Sequence, residues 1–165
     1  MIRYICAGRC EIMEEVKYIE AGLPAAIYER RVNYYETDQM GIVHHSNYIR
    51  WFEEARLYFM EEAGVPYKQM EDDGIMSPVL GVSATYKVPA KYGQKVLIYV
   101  WIESFNGIRM RCAYKVVESD TGALCATGTS DHCFVNMEFK PISLKKSYPL
   151  YYQLIQSETG ERAAN

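Results

Sequence analysis

The feature that most limits how this chain can fold is one long helical stretch followed by a series of strands. Residues 46–63 read as the helix. Ser46 or Asn47 can cap its start, Glu53 and Glu54 follow within two turns, and Gly64 with Pro66 ends it. Its apolar positions, Tyr48, Ile49, Trp51, Phe52, Ala55, Phe59 and Ala63, cover more than one stripe, so burial over much of its circumference is expected. Ahead of it, residues 27–35 read as a strand in which Val32 and Tyr34 alternate with Arg31 and Asn33. A polar loop, residues 36–41, joins the two and ends in Gly41. After the helix, residues 66–73 can form a short second helix closed by Gly74.

Strands are then expected at residues 78–88, 94–104, 109–118 and 123–136. In the third of these, Met110, Cys112, Tyr114 and Val116 face one way and Arg109, Arg111, Ala113 and Lys115 the other. Phe105-Asn106-Gly107 and Ser119-Asp120-Thr121-Gly122 have hairpin-turn chemistry. Pro149 can open a terminal helix over residues 149–156. One buried helix and one curved, mainly antiparallel sheet predict an α+β domain in which the sheet wraps the helix. One helix covers one face of such a sheet. The other face carries Tyr99 and Trp101, so it is expected to meet another subunit.

Composition narrows the function. The chain has 165 residues, which suits one domain, and 49% of them are hydrophobic, enough for a core. A net charge of -3 argues against a nucleic-acid partner, which calls for a basic excess. The five cysteines, Cys6, Cys10, Cys112, Cys125 and Cys133, are odd in number and lack zinc-finger spacing. They read as small hydrophobes in a reducing cytoplasm. Neither a signal peptide nor a transmembrane segment is evident. Residues 1–26 read as an extension of undefined role, with Met13 a possible alternative start. Residues 27–156 read as the domain and 157–165 as a tail.

One stretch is far more specific than a short motif. It is the run Tyr35-Glu36-Thr37-Asp38-Gln39-Met40-Gly41-Ile42-Val43-His44-His45-Ser46-Asn47-Tyr48-Ile49-Arg50-Trp51-Phe52-Glu53-Glu54-Ala55-Arg56. It resembles the signature of the 4-hydroxybenzoyl-CoA thioesterase family, in its YbgC-type acyl-CoA thioesterase branch. Tyr86-Lys87-Val88-Pro89-Ala90, Tyr92-Gly93 and Phe139-Lys140-Pro141 agree with it, so the resemblance runs from about Ile27 to about Ile155. It implies the hot-dog fold, hydrolysis of acyl-CoA thioesters without a cofactor or metal, and a homodimer or homotetramer with active sites at the subunit interface. It makes Asp38 the catalytic carboxylate and His45 its companion, and it places Tyr48 and Glu53 at recurrent positions of the central helix. Glu36 departs from it, standing where many members have Asp.

The chemistry is coherent with this reading. A carboxylate can attack a thioester carbonyl to give an anhydride, or it can activate water. Taken locally, Asp38 is as readily a turn or capping residue; the whole motif makes it catalytic. The free N–H groups at a helix start can hold a developing oxyanion, and Gly41 lets the loop backbone approach substrate. His45 can orient water, donate to the carbonyl, or only position the helix. His44 should point elsewhere. Tyr48 and Glu53 serve packing or substrate contact. Lys87, Lys91, Arg109 and Arg111 can meet the phosphates of CoA, or form an ordinary solvated strand face. Asp131 and His132, neighbours on a strand, should face opposite ways and form no dyad. Two other readings remain: a hydratase or dehydratase on the same fold, whose His-containing segments are not found here, and a non-catalytic acyl-CoA binding protein, which would have no use for Asp38.

Overall fold

Side-chain alternation builds the sheet, and it does so most plainly in the stretch where every second residue is apolar. The computed structural model describes residues 26–159 and, before them, the short antiparallel pair 18–19 and 23–24. The readings of Cys6, Cys10 and Met13 lie outside the described residues. In chain order the elements are β1 (Ala26–Arg31), α1 (His45–Glu62), α2 (Tyr67–Asp72), β2 (Val79–Tyr86), β3 (Lys95–Phe105), β4 (Arg109–Glu118), β5 (Leu124–Cys133), α3 (Leu144–Ser147) and α4 (Pro149–Ser157). The sheet order is β1-β3-β4-β5-β2, with every neighbour antiparallel. This is the expected α+β architecture, a curved sheet around one long helix.

The inward residues of β3 and β4 are Val96, Ile98, Val100, Ile102, Met110, Cys112, Tyr114 and Val116, all buried. They receive the buried stripe of α1: Tyr48, Trp51, Phe52, Ala55, Arg56, Phe59 and Met60. Phe52 stacks on Tyr114 at 4.4 Å between ring centroids. Each such aromatic contributes roughly 1.5–3 kcal/mol through burial. Gly128 on β5 allows this close approach, because a Cβ there would overlap the Phe52 ring and sit 2.5 Å from the Ser83 carbonyl oxygen. The β3–β4 turn works as its residues suggest. Asn106 Oδ1 accepts from the Ile108 amide at 3.0 Å and the Arg109 amide at 2.8 Å.

The structure corrects four local expectations. The first strand ends at Arg31, and residues Tyr34–Glu36 form a 3-10 turn instead of continuing it. The cause is Glu36, whose carboxylate accepts from the Asn33 amide at 2.7 Å and turns the chain. The long helix begins one residue early, with His44 as its cap in place of Ser46 or Asn47. His44 Nδ1 accepts from the Ser46 amide. The helix buries one stripe only, and Ile49 is left 38% exposed. The last strand stops at Cys133. Beyond it Val135 bridges to Met76 and Pro141, outside the sheet proper.

Candidate active site

Asp38 is held on a miniature hairpin between the 3-10 turn and α1. Thr37 bridges Val43, the Asp38 amide donates to the Ile42 carbonyl at 2.9 Å, and the Gly41 amide donates to the Asp38 carbonyl at 2.9 Å. Gly41 closes the turn at φ 72, a left-handed conformation that favours glycine. Asp38 Oδ1 accepts from the Met40 amide at 2.8 Å. Among the described residues Oδ2 accepts no hydrogen bond, so one carboxylate oxygen is fixed and the other is free. The hairpin is pinned to the segment after β2 by the Val43 amide, which donates to the Ala90 carbonyl at 2.8 Å, and by a bridge between Ile42 and Lys91.

Glu36 fixes the other side of the loop. It is buried, and its Oε1 accepts from Arg30 Nη2 at 2.6 Å and from Trp51 Nε1 at 2.8 Å. Its backbone carbonyl accepts from Asn47 Nδ2 and from the His44 amide, each at 2.8 Å. The residue that departs from the family pattern is therefore a buried anchor between β1, the loop and α1, and its carboxylate is spent on protein partners.

A cavity of about 310 Å³ opens where these parts meet, lined by Asp38, Met40, His45, Tyr48, Tyr86 and Lys87 among others. His45 is the first residue of α1 and is exposed there. Its ring lies 4.1 Å from that of His44, which itself does not line the cavity. His44 is committed to the helix cap, with Nδ1 2.9 Å from Ser46 Oγ. Tyr48 is buried, and its hydroxyl accepts from the Ala90 amide at 3.2 Å, so it both walls the cavity and ties α1 to the segment after β2. Tyr86 donates to the His45 carbonyl at 3.1 Å.

The structure brings together Asp38, Gly41, His45, Tyr48 and Lys87, with Lys91 next to the hairpin. It does not bring Glu53, Arg109 or Arg111 to them within one chain. Glu53 lies two turns further along α1, exposed, with Oε1 3.3 Å from Arg56 Nη2. Arg109 and Arg111 border a separate cavity of about 510 Å³ with Ser104, Asn106 and Asp131. Arg111 pairs there with Glu103 at 2.9 Å and Asp131 at 3.6 Å. Asp131 and His132 do face opposite ways, Asp131 toward Arg111 and His132 into the interior.

His132 has a measurable consequence. Burial, reinforced by the nearby Arg56 guanidinium, pushes its imidazole down to about 4. An unfolded histidine titrates near ~6.5. As pH falls the unfolded chain takes up this proton first, so native stability is lost progressively from pH ~6.5 to ~4. Replacing His132 by Gln should remove ~3 kcal/mol of acid sensitivity over that window, read as the difference between the two proteins' urea-unfolding free energies. Parallel pH curves would show that the imidazole is protonated in the fold.

The site has relatives. Residues 32–157 match the profile of the Thioesterase-like superfamily. A putative acyl-CoA thioesterase of Bacillus subtilis, YneP, is 40% identical over 122 residues, 73% of this chain and 88% of that protein. A putative esterase of Aquifex aeolicus is 39% identical over 109 residues, 66% of this chain and 84% of its own length. Among solved structures, a DHNA-CoA thioesterase from Staphylococcus aureus superposes with a TM-score of 0.77 at 34% identity, covering 81% of this chain and 89% of that one. With the loop carboxylate, the glycine turn and the helix start assembled on this sheet, the chain belongs to the Thioesterase-like superfamily and is a thioester hydrolase of the hot-dog fold.

Proposed function

We propose that the protein hydrolyses acyl-CoA thioesters, with Asp38 as nucleophile or general base and His45 as its partner at the carbonyl. The observation that carries this is the shared cavity: Asp38 and His45 line it together at the N-terminal end of α1. If Asp38 attacks directly, its oxygen bonds the acyl carbon and the carbonyl electrons move to oxygen. The tetrahedral adduct then expels the CoA thiolate, which takes a proton, and water cleaves the anhydride to restore the carboxylate. If Asp38 is a base, water forms the new bond while Asp38 takes its proton. In both routes the oxyanion develops beside the helix start, where backbone N–H groups favour negative charge. The test is release of free CoA from a panel of thioesters of varied chain length, aromatic ones included. No turnover of any of them would favour the binding-protein reading.

His45→Ala should lower kcat by ~10²-fold, the range for losing a positioned acid, base or carbonyl donor. Unchanged turnover with a lower melting temperature would leave His45 as a helix-positioning residue. Lys87, on the cavity wall, and Lys91 are the CoA-phosphate contacts of the same chain. Arg109 and Arg111 would serve a second copy.

That second copy has a place to bind. The edge strand β2 presents Val79, Leu80, Val82 and Tyr86 exposed, and one of its edges pairs with nothing in the described chain. A long exposed apolar edge is a template for pairing. Two-fold pairing of β2 with its copy gives a dimer with the active-site cavities beside the interface. The half-buried Tyr99 and Trp101 on the outer sheet face give a second contact and a tetramer. Light scattering at micromolar concentration should show a dimer or tetramer; a fully active monomer would sink the shared-site arrangement. Residues 27–156 form the catalytic domain in this reading, with the extension and tail outside it. Among the described residues no helix is long and apolar enough to cross a membrane. The free thiols of Cys112, Cys125 and Cys133 suit a reducing cytoplasm.

A further inference from the structure

Three side chains on one face of β2 look toward α1, as the two-residue period of a strand requires. Val82 lines a small gap with Ile49 and Phe52, Ala84 packs on the core, and Tyr86 reaches the first turn of the helix. The Tyr86 ring stands edge-on to two rings of α1. Its centroid is 6.3 Å from that of His45 and 5.3 Å from that of Tyr48. The residue is 44% exposed, yet its hydroxyl is not given over to solvent, because it donates to the His45 carbonyl at 3.1 Å. That carbonyl belongs to the first residue of the helix. A carbonyl oxygen has two lone pairs, so it can serve the helical ladder and Tyr86 together.

The first turn of a helix is its least constrained part, because its N–H groups have no acceptors within the helix. Here the turn is tied to the active-site loop by the His44 amide and Asn47 Nδ2, both donating to the Glu36 carbonyl. The cap contact from the Ser46 amide to His44 Nδ1 is long, at 3.4 Å. On the other side, Tyr86 is the one strand side chain that hydrogen-bonds this turn among the described residues. Tyr48 adds a tie to Ala90, which lies beyond the strand. The same turn carries His45 into the cavity that Asp38 lines. A helix start that loses the Tyr86 hydroxyl keeps its ties to the loop and to Ala90 but has no direct bond to the sheet.

We infer that Tyr86 is a positioning residue for thioester hydrolysis: its hydroxyl fixes the His45 backbone, and with it the start of α1, against Asp38. This rests on the thioesterase reading above. It does not rest on the dimer, because every group involved belongs to one chain. The hydroxyl is spent on a backbone carbonyl, so Tyr86 acts through His45 and not on the substrate itself. Its effect should fall on the transition state, where a small displacement of the reacting groups matters most.

The test is Tyr86→Phe, which keeps the ring and both edge-on contacts and removes only the hydroxyl. On the best thioester of the panel, kcat should fall by ~10-fold with KM and the melting midpoint held, as expected for one lost hydrogen bond plus a slight misplacement of the helix start. Tyr58→Phe is the control. It removes a hydroxyl from the same helix, away from the Asp38 cavity, and should leave turnover as in wild type. Two CoA thioethers separate positioning from plain packing. S-Trifluoroacetonyl-CoA takes up water at its carbonyl to give a tetrahedral mimic of the adduct, and S-acetonyl-CoA keeps a planar ketone. Tyr86→Phe should weaken the first by ~10-fold and leave the second unchanged. Equal losses for the two thioethers, or a lower melting midpoint with kcat intact, would overturn the inference and leave Tyr86 a packing residue. Wild-type kcat in the variant would overturn it outright. A wild-type protein that hydrolyses no thioester would instead remove the thioesterase reading itself, and this role with it.

Discussion

Asp38→Asn should lower kcat by ~10³-fold or more while the protein stays folded, the loss expected when a nucleophile or essential base is removed. The substitution keeps volume, and the amide oxygen can still accept from the Met40 amide, so the hairpin that carries the residue is retained. It removes the negative charge and the basicity from the group that lines the cavity with His45. The variant can neither bond the acyl carbon nor take a proton from water. Affinity for a non-hydrolysable acyl-CoA analogue should change little if Asp38 acts mainly on the transition state. Steady-state CoA release, calorimetry with the analogue and a melting curve separate these effects. A folded Asp38→Asn protein with near wild-type hydrolysis would take Asp38 out of the mechanism and favour a binding protein.

The parts of the fold that were legible in the sequence are those where one local rule acts alone. β4 lies over Arg109–Glu118 as read, because its alternation is unbroken and both flanking turns carry Asn-Gly or Asp/Gly chemistry. Before the active-site loop, Val32 and Tyr34 alternate with polar residues as a strand would, yet the strand ends at Arg31. The interaction that ends it is tertiary: Glu36 turns the chain while holding Arg30 and Trp51, which lie 6 and 15 residues away. Tyr34 and Tyr35 are consequently 76% and 79% exposed, and pattern alone puts neither there. The site divides the same way. Asp38, Gly41 and His45 sit in one contiguous motif, so their meeting could be anticipated. Arg109 and Arg111 share their charge with Lys87 and Lys91 as possible phosphate contacts, and the strand register carries them to the other end of the sheet. Arg56 occupies an interior position of the helix, four residues after Phe52 and eight after Tyr48.

Glu36→Gln should destabilise the protein by ~3–5 kcal/mol, the range for leaving one member of a buried ion pair without its partner. The side-chain carbonyl of Gln can still accept from Trp51 Nε1 or the Asn33 amide, so the hydrogen-bonding geometry is partly kept. What is lost is the negative charge facing Arg30, whose side chain is 9% exposed and lies over the Trp51 ring at 4.8 Å. Glu54, 2.5 Å from Arg30 Nη1, is the remaining counter-charge, but it is 43% exposed and well screened. Glu54→Gln is therefore the control, expected to cost less than ~1 kcal/mol as exposed pairs do. The same variant reports on function. Glu36 stands two residues before Asp38, and its backbone carbonyl holds both Asn47 and the His44 amide at the helix start. Loosening it displaces the Asp38 hairpin from α1, and a displacement of ~1 Å is enough to lower kcat by ~10²-fold. Urea midpoints and CoA release on the two single variants decide the matter. If Glu36→Gln costs no more stability than Glu54→Gln and turns over as wild type, the buried pair is not what aligns the catalytic loop with its helix.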